Sequence, residues 1–303
     1  MQQENLKNKI QEKQIHKAFF QNYENPITEN NFSSIWLHKG INSPQEEGMY
    51  TFLQDRNFFL GQESKKKCPH CGKAIRTVDH LATNCGKLLP FDYTQRHNEV
   101  LKCIHLNLCR QFNFTDNHKL RLHKITKKIE NCYASIITDM PIATDIQVQA
   151  NRPDIIVYDK IKKEITIIEV GVTSQQNLQT TEITKKRKYD LLAKELNQLE
   201  NMPVKIVPFV ITWDGVVTKY NKDYRETLKI TDKMLAYIQT VVLKKTLETI
   251  SSEYRQNRSY QPSKKQEEEK ELVERLYEVC LQFAQQEEIV EADRLEENVS
   301  CGS

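Results

Sequence analysis

Two runs of β-branched residues, Ile155-Ile156-Val157 and Ile165-Thr166-Ile167-Ile168, are joined by the short, mostly polar stretch Asp159 to Lys163. Side chains branched at Cβ are stiff and suit the pleated surface of a strand, so this spacing predicts a hairpin. The first strand is entered through Arg152-Pro153-Asp154 and the second is left through Glu169-Val170. In an antiparallel pair the start of one strand lies beside the end of the next, which brings Asp154 and Glu169 together. Two carboxylates held close repel, and a hard, oxygen-seeking dication such as Mg²⁺ between them relieves that repulsion. The plainer reading of the same residues is a surface hairpin with ordinary flanking charges.

The continuation argues against the plainer reading. After Val170-Gly171-Val172-Thr173-Ser174 the sequence predicts a helix from about Thr181 to Leu199, with Leu192, Leu196 and Leu199 on its buried face. Counting back along that face gives Lys185, Lys188 and Tyr189, while Lys186 and Arg187 point elsewhere. Lysines beside metal-held acids can orient a water and stabilise charge on an attacked phosphate. At the rim of a core they can equally snorkel toward solvent. A strand follows over Val204 to Trp213, with Pro208 placing it at an edge or a bulge. A helix then spans about Thr231 to Ser251. The order of helix, strands, helix, strand, helix predicts an α/β sheet with helices on its faces.

Upstream, Cys68, Cys71, His80 and Cys85 are spaced Cys-x2-Cys-x8-His-x4-Cys. Three thiolates and an imidazole suit tetrahedral Zn²⁺ in a closed, structural site. Gly72, just after the second cysteine, suits the tight turn of a knuckle. The chain has eight cysteines, and this spacing reads as metal binding in a reducing compartment rather than as disulfides. Lys65, Lys66, Lys67, Lys73 and Arg76 surround the motif as candidate phosphate contacts or as a solvated rim. Further back, Ser43-Pro44 and Glu46 form a capping-box start for a short helix ending near Gln54-Asp55. Downstream, Arg96-His97-Asn98 opens a helix that runs through Leu101, Ile104, Leu108 and Phe112, where a positive helix end could hold a phosphate.

The net charge of +3 does not by itself announce a nucleic-acid partner, but acidic residues crowd toward the C-terminal end and leave the rest basic. The sequence contains no apolar run long enough for a membrane span and no signal-peptide pattern. The boundaries expected are a helical arm and linker over 1–60, a zinc knuckle over 61–92, an α/β domain over 93–255, and a polar linker with an acidic amphipathic helix over 256–303. That last helix, from about Glu267 to Leu295, is a candidate for packing back or for self-association.

Residues about 34 to 220 resemble the C-terminal region of non-LTR (LINE-type) retrotransposon proteins that carry a restriction-like endonuclease. The resemblance rests on Cys68, Cys71, His80 and Cys85, then Arg96-His97-Asn98, then Arg152-Pro153-Asp154, then Glu169, then Lys185 with Lys188, in that order. It implies a PD-(D/E)xK core of the type II restriction-enzyme kind and a Mg²⁺-dependent nick in target DNA that primes reverse transcription in the nucleus. Asp154 and Glu169 would hold Mg²⁺, Lys185 or Lys188 would act with it, and Arg96, His97, Asn98 and Arg152 would contact DNA. The element's RNA is a second candidate partner. Two departures stand out: Gly171 occupies the position where the restriction-enzyme pattern puts its lysine, and Glu169 stands where many members have Asp. No reverse transcriptase motif is present, so an excised piece or a stand-alone derivative is expected. The rival reading is a nucleic-acid-binding zinc module with a silent core. A zinc protein with a dimerising tail is a third, but it leaves Arg152 to Lys188 unexplained.

Overall fold

The computed structural model describes residues 2–12, 25–56, 58–59, 65–117 and 119–256. The acidic helix expected over Glu267 to Leu295 lies outside these residues. In chain order the helices are α1 (Gln2–Gln11), α2 (Asn30–Ser33), α3 (Ile35–Lys39), α4 (Pro44–Gln54), α5 (Thr94–Gln111), α6 (Leu178–Lys188), α7 (Asp190–Glu200), α8 (Asn221–Leu228) and α9 (Asp232–Gln256). Strands β1 (Lys128–Glu130), β2 (Ala134–Thr138), β3 (Ile155–Asp159) and β4 (Glu164–Thr173) lie between α5 and α6, and β5 (Val204–Thr212) follows α7. Among the described residues no helix is long and apolar enough to cross a membrane.

The strands form one five-stranded mixed sheet in the order β1-β2-β3-β4-β5, flanked by helices. The first four strands pair antiparallel, and β5 joins β4 in parallel after the α6–α7 crossover. β4 is an interior strand, and all of it beyond Glu164 is buried, as expected of a strand covered on both faces. β5 lies at the sheet edge, which fits Pro208, a residue without an N–H to give a second neighbour.

The period-2 alternation sorts the apolar residues onto two faces. Ile155, Val157, Ile168, Val170 and Val172 belong to a large core with Trp36, Tyr50, Leu53, Ile104, Leu235 and Leu243 from α3, α4, α5 and α9. Ile156, Ile165 and Ile167 face the other way, onto Tyr189, Leu192 and Leu196. Burying each such side chain is worth about 1.5–3 kcal/mol, so a one-residue slip between β3 and β4 would forfeit several of these terms at once. Residues 30–59, expected as part of an arm, contribute Ile35, Trp36, Met49, Tyr50, Leu53, Phe58 and Phe59 to the large core. The capping box at Ser43 and Glu46 forms as the sequence indicates.

The single helix expected over Thr181 to Leu199 is two helices. The chain breaks at Tyr189, which sits at φ −110° and ψ 13° between α6 and α7. Tyr189 is fully buried, and its hydroxyl donates to the Arg152 carbonyl at 2.8 Å. A polar tip that must find a partner in the core outweighs helix propensity at this position.

α6 is fixed from its far side by Glu182, which is buried and accepts a 3.0 Å hydrogen bond from the Thr218 hydroxyl. Burial raises the Glu182 carboxyl above its usual range, against the opposing pull of Thr218, Tyr224 and Lys186. An acid whose folded pKa is raised loses stability as pH climbs from the unfolded value through the folded one. Glu182→Gln removes that loss. Its melting temperature is expected to exceed the parent's at about pH 8 and to converge with it near about pH 4. Equal melting differences at both ends would refute the assignment.

Candidate active site and metal centre

Register alone brings the two acids together. Ile155 pairs with Ile168 across β3 and β4, and one further step along the same register sets Asp154 opposite Glu169. Both therefore lie on the face covered by α6 and α7. The Asp154 amide points at Glu169 Oε2 (3.4 Å), and the Val170 amide donates to Asp154 Oδ2 at 2.8 Å.

α6 delivers both candidate lysines. Lys185 Nζ lies 3.0 Å and Lys188 Nζ 2.8 Å from the same oxygen, Glu169 Oε1. They are not equivalent. The Lys185 side chain is 18% exposed and that of Lys188 is 45% exposed, so Lys185 is the more firmly held and the less screened by water. Lys185 also acts electrostatically on Asp154 and His97.

Gly171 explains how the lysine comes from a helix rather than from the strand. It lies two residues after Glu169 on the same face, where a Cβ would sit 2.8 Å from Lys185 Cε and 3.3 Å from Val210 Cγ2. The stem of Lys185 occupies the space that a strand side chain would need.

The three members of Arg96-His97-Asn98 separate. His97 at the head of α5 reaches the site, with Nε2 3.2 Å from Asp154 Oδ2 and Nδ1 3.3 Å from Asn98 Oδ1. Tyr93 stacks on it at 6.3 Å between ring centroids. Burial acts to lower the His97 imidazole, but the Asp154 carboxylate outweighs it and raises the pKa above the ordinary value. Burial likewise acts to raise the Asp154 carboxyl, and His97, the Val170 amide and Lys185 outweigh it and hold that pKa down. Asn98 is exposed. The expectation that Arg96 contacts DNA is corrected: it is fully buried. Its guanidinium donates to the Ala82 carbonyl and to Thr249 Oγ1, tying the region after His80 to α5 and α9. Arg152 is exposed and holds Asp139 through two 2.8 Å contacts.

Cys68, Cys71, His80 and Cys85 place their donor atoms within 4.8 Å of one another. Cys68 Sγ and Cys85 Sγ are 3.7 Å apart, and Cys71 Sγ and His80 Nε2 are 3.3 Å apart. Tetrahedral zinc with ordinary bond lengths separates its ligands by roughly 3.5–3.8 Å, so the donor set and its spacing fit that ion. The turn is tight: the Gly72 amide donates to the Cys68 carbonyl at 2.8 Å, and Gly72 adopts a φ of +64°. Amides of Ala74 and Lys73 aimed at Cys71 pull its thiol down to about 6, whereas burial pushes the Cys68 thiol up to about 11. Asp79, next to His80, accepts from Arg56 at 3.0 Å and from the Trp213 indole at 3.0 Å, which fastens this region to the end of β5.

Sequence reasoning missed the His97–Asp154 contact, the Tyr189 clamp and the role of Gly171. A Gly where a Lys is expected was the one available signal for the last.

No family model matches the chain, and comparison with curated proteins finds no match. Among solved structures, an N-terminal domain of a reptarenavirus L protein aligns over 68% of this chain and 94% of its own, at 15% identity and a TM-score of 0.26. A likeness that loose carries no argument.

Proposed function

We infer that this chain is a metal-dependent DNA endonuclease with a PD-(D/E)xK-type core, of the kind that nicks target DNA to prime retrotransposon insertion. The observation that carries the reading is the convergence of Asp154, Glu169 and Lys185 on one sheet face. Asp154 and Glu169 are the residues that would hold Mg²⁺. When bound, that ion supplies a Lewis acid for the scissile phosphate and an activated water. Before any metal binds, the two carboxylates are balanced by Lys185 and Lys188. A dication added there makes the site net positive, the sign that a phosphodiester and its developing charge require. Lys185, buried along its stem and in contact with Glu169, orients the water. Lys188, the more exposed, would leave Glu169 to meet a phosphate oxygen. His97 braces Asp154 from α5. The Cys68–Cys71–His80–Cys85 centre would hold Zn²⁺ structurally, and Arg152 and Asn98, both exposed, are candidate contacts to the DNA backbone.

The test is relaxation of supercoiled plasmid by purified, zinc-loaded protein with Mg²⁺. Nicking that depends on the metal and on Asp154 supports the reading. A second reading, a DNA-binding module with a silent core, takes its support from Gly171 at the position where the restriction-enzyme pattern puts its lysine. DNA binding with no nicking in Mg²⁺ or Mn²⁺ favours it.

Gly171→Ala separates packing from chemistry. Alanine is the better strand residue by about 0.5–1 kcal/mol, which offsets the cost of displacing the flexible Lys185 tip, so stability changes little. A displacement of about 1 Å in a positioned group costs up to about 100-fold, and nicking is expected to fall accordingly. A variant that cuts at the parental rate would rule out a role for Lys185 at that position.

A further inference from the structure

We propose a second zinc site, formed by His105, Cys109 and His123, that fastens α5 to the segment leading into β1. The donor atoms of these three residues lie within 4.8 Å of one another. His105 and Cys109 stand four apart on α5 and so share one helix face. His123 comes from the end of the short 3-10 turn Leu120–Leu122. His105 Nδ1 lies 2.7 Å from His123 Nε2 and 3.4 Å from Cys109 Sγ, with the two rings 4.9 Å apart.

A single ring nitrogen carries one lone pair or one proton, yet here it faces two heteroatoms. An imidazole–imidazole hydrogen bond satisfies one of them. One cation among the three donors uses all three lone pairs, and a thiolate with two imidazoles is a zinc donor set with a fourth position left for water. The Thr126 backbone also acts on the His105 ring as a hydrogen-bond partner, the kind of contact that orients a ligating imidazole. Binding releases the Cys109 proton, and the thiolate offsets the nearby Lys102 charge that acts on His123.

Among the described residues, the stretch between α5 and β1 carries only the Leu120–Leu122 turn as regular structure. A staple eighteen residues across would hold this stretch against α5 about 12 Å along the helix from His97. The site stands whether or not the chain cuts DNA.

Zinc content of the full-length chain tests it, with Mg²⁺ in excess so that the carboxylate pair does not scavenge zinc. Two equivalents are expected in the parent and one in His123→Ala. One equivalent in the parent, or two in His123→Ala, would overturn the site. If His123→Ala folds poorly, Co²⁺ added to the parent after a mild chelator has withdrawn the zinc of the three-ligand site, leaving one equivalent bound, gives a second readout. A charge-transfer band of one-thiolate intensity, a third of that expected from the three-cysteine centre and abolished by Cys109→Ser, supports the site. Absence of that band, or its survival in Cys109→Ser, refutes it.

Discussion

Asp154→Asn is expected to abolish Mg²⁺-dependent nicking while leaving the fold intact. Asp154 Oδ2 accepts from the Val170 amide and from His97, and the side chain is mostly buried. An amide keeps an oxygen for Val170, so no buried donor is orphaned, but it loses the charge that a dication needs. Losing an outer-shell partner of a metal costs roughly 10–100-fold, and losing a ligand itself costs more. Asp154→Ala removes the acceptor as well, leaving the Val170 N–H unpaired at about 1–3 kcal/mol, so it is expected to lose both activity and stability. The pair distinguishes chemistry from folding. The lysines extend the test: Lys185→Ala is expected to lower the nicking rate by about 100-fold, as for one preorganised electrostatic group, and Lys188→Ala by about tenfold or less. Parental cutting by Asp154→Asn would end the nuclease reading, and a reversed lysine order would exchange their roles.

The second large effect concerns stability. Stripping zinc, or Cys85→Ser, is expected to lower the melting temperature by more than about 8 °C. Structural zinc contributes about 10–16 kcal/mol in isolated fingers. Even a loss of about 4 kcal/mol moves the midpoint of a domain this size by about 8–16 °C. Cys68 and Cys85 are buried within the same core as Val100 and Trp213, so an empty centre leaves thiols facing one another inside the packed molecule rather than in a separate appendage. Arg96 and the Arg56–Asp79–Trp213 contacts would lose their anchor at the same point. Asp154→Asn should melt close to the parent under the same conditions. A chelated protein that melts within about 2 °C of the zinc-loaded one would show that this centre holds no structural ion.

What the sequence determined by itself is local and periodic. The hairpin and its register, the two-faced alternation of β3 and β4, the capped start of α4 and the Cys-x2-Cys-x8-His-x4-Cys spacing are all written in neighbouring residues. Register arithmetic follows from the period of a strand, so the meeting of Asp154 and Glu169 was legible; Lys185 and Lys188, three apart, share a face of α6, although the count back from Leu192 runs through the break at Tyr189. Tertiary structure decided the rest. Helix propensity favours one helix across Tyr189, and the demand of a buried hydroxyl for the Arg152 carbonyl breaks it. A polar triplet at a helix start reads as one surface, yet Arg96 turns into the core while His97 turns to Asp154, because a helix directs successive side chains about 100° apart. Gly171 looked like a missing lysine, and only packing shows that the space beside it is filled from another element. Patterns within one strand or one helix are fixed by backbone geometry; which side chain fills the gap between two elements is fixed by the partner that arrives there.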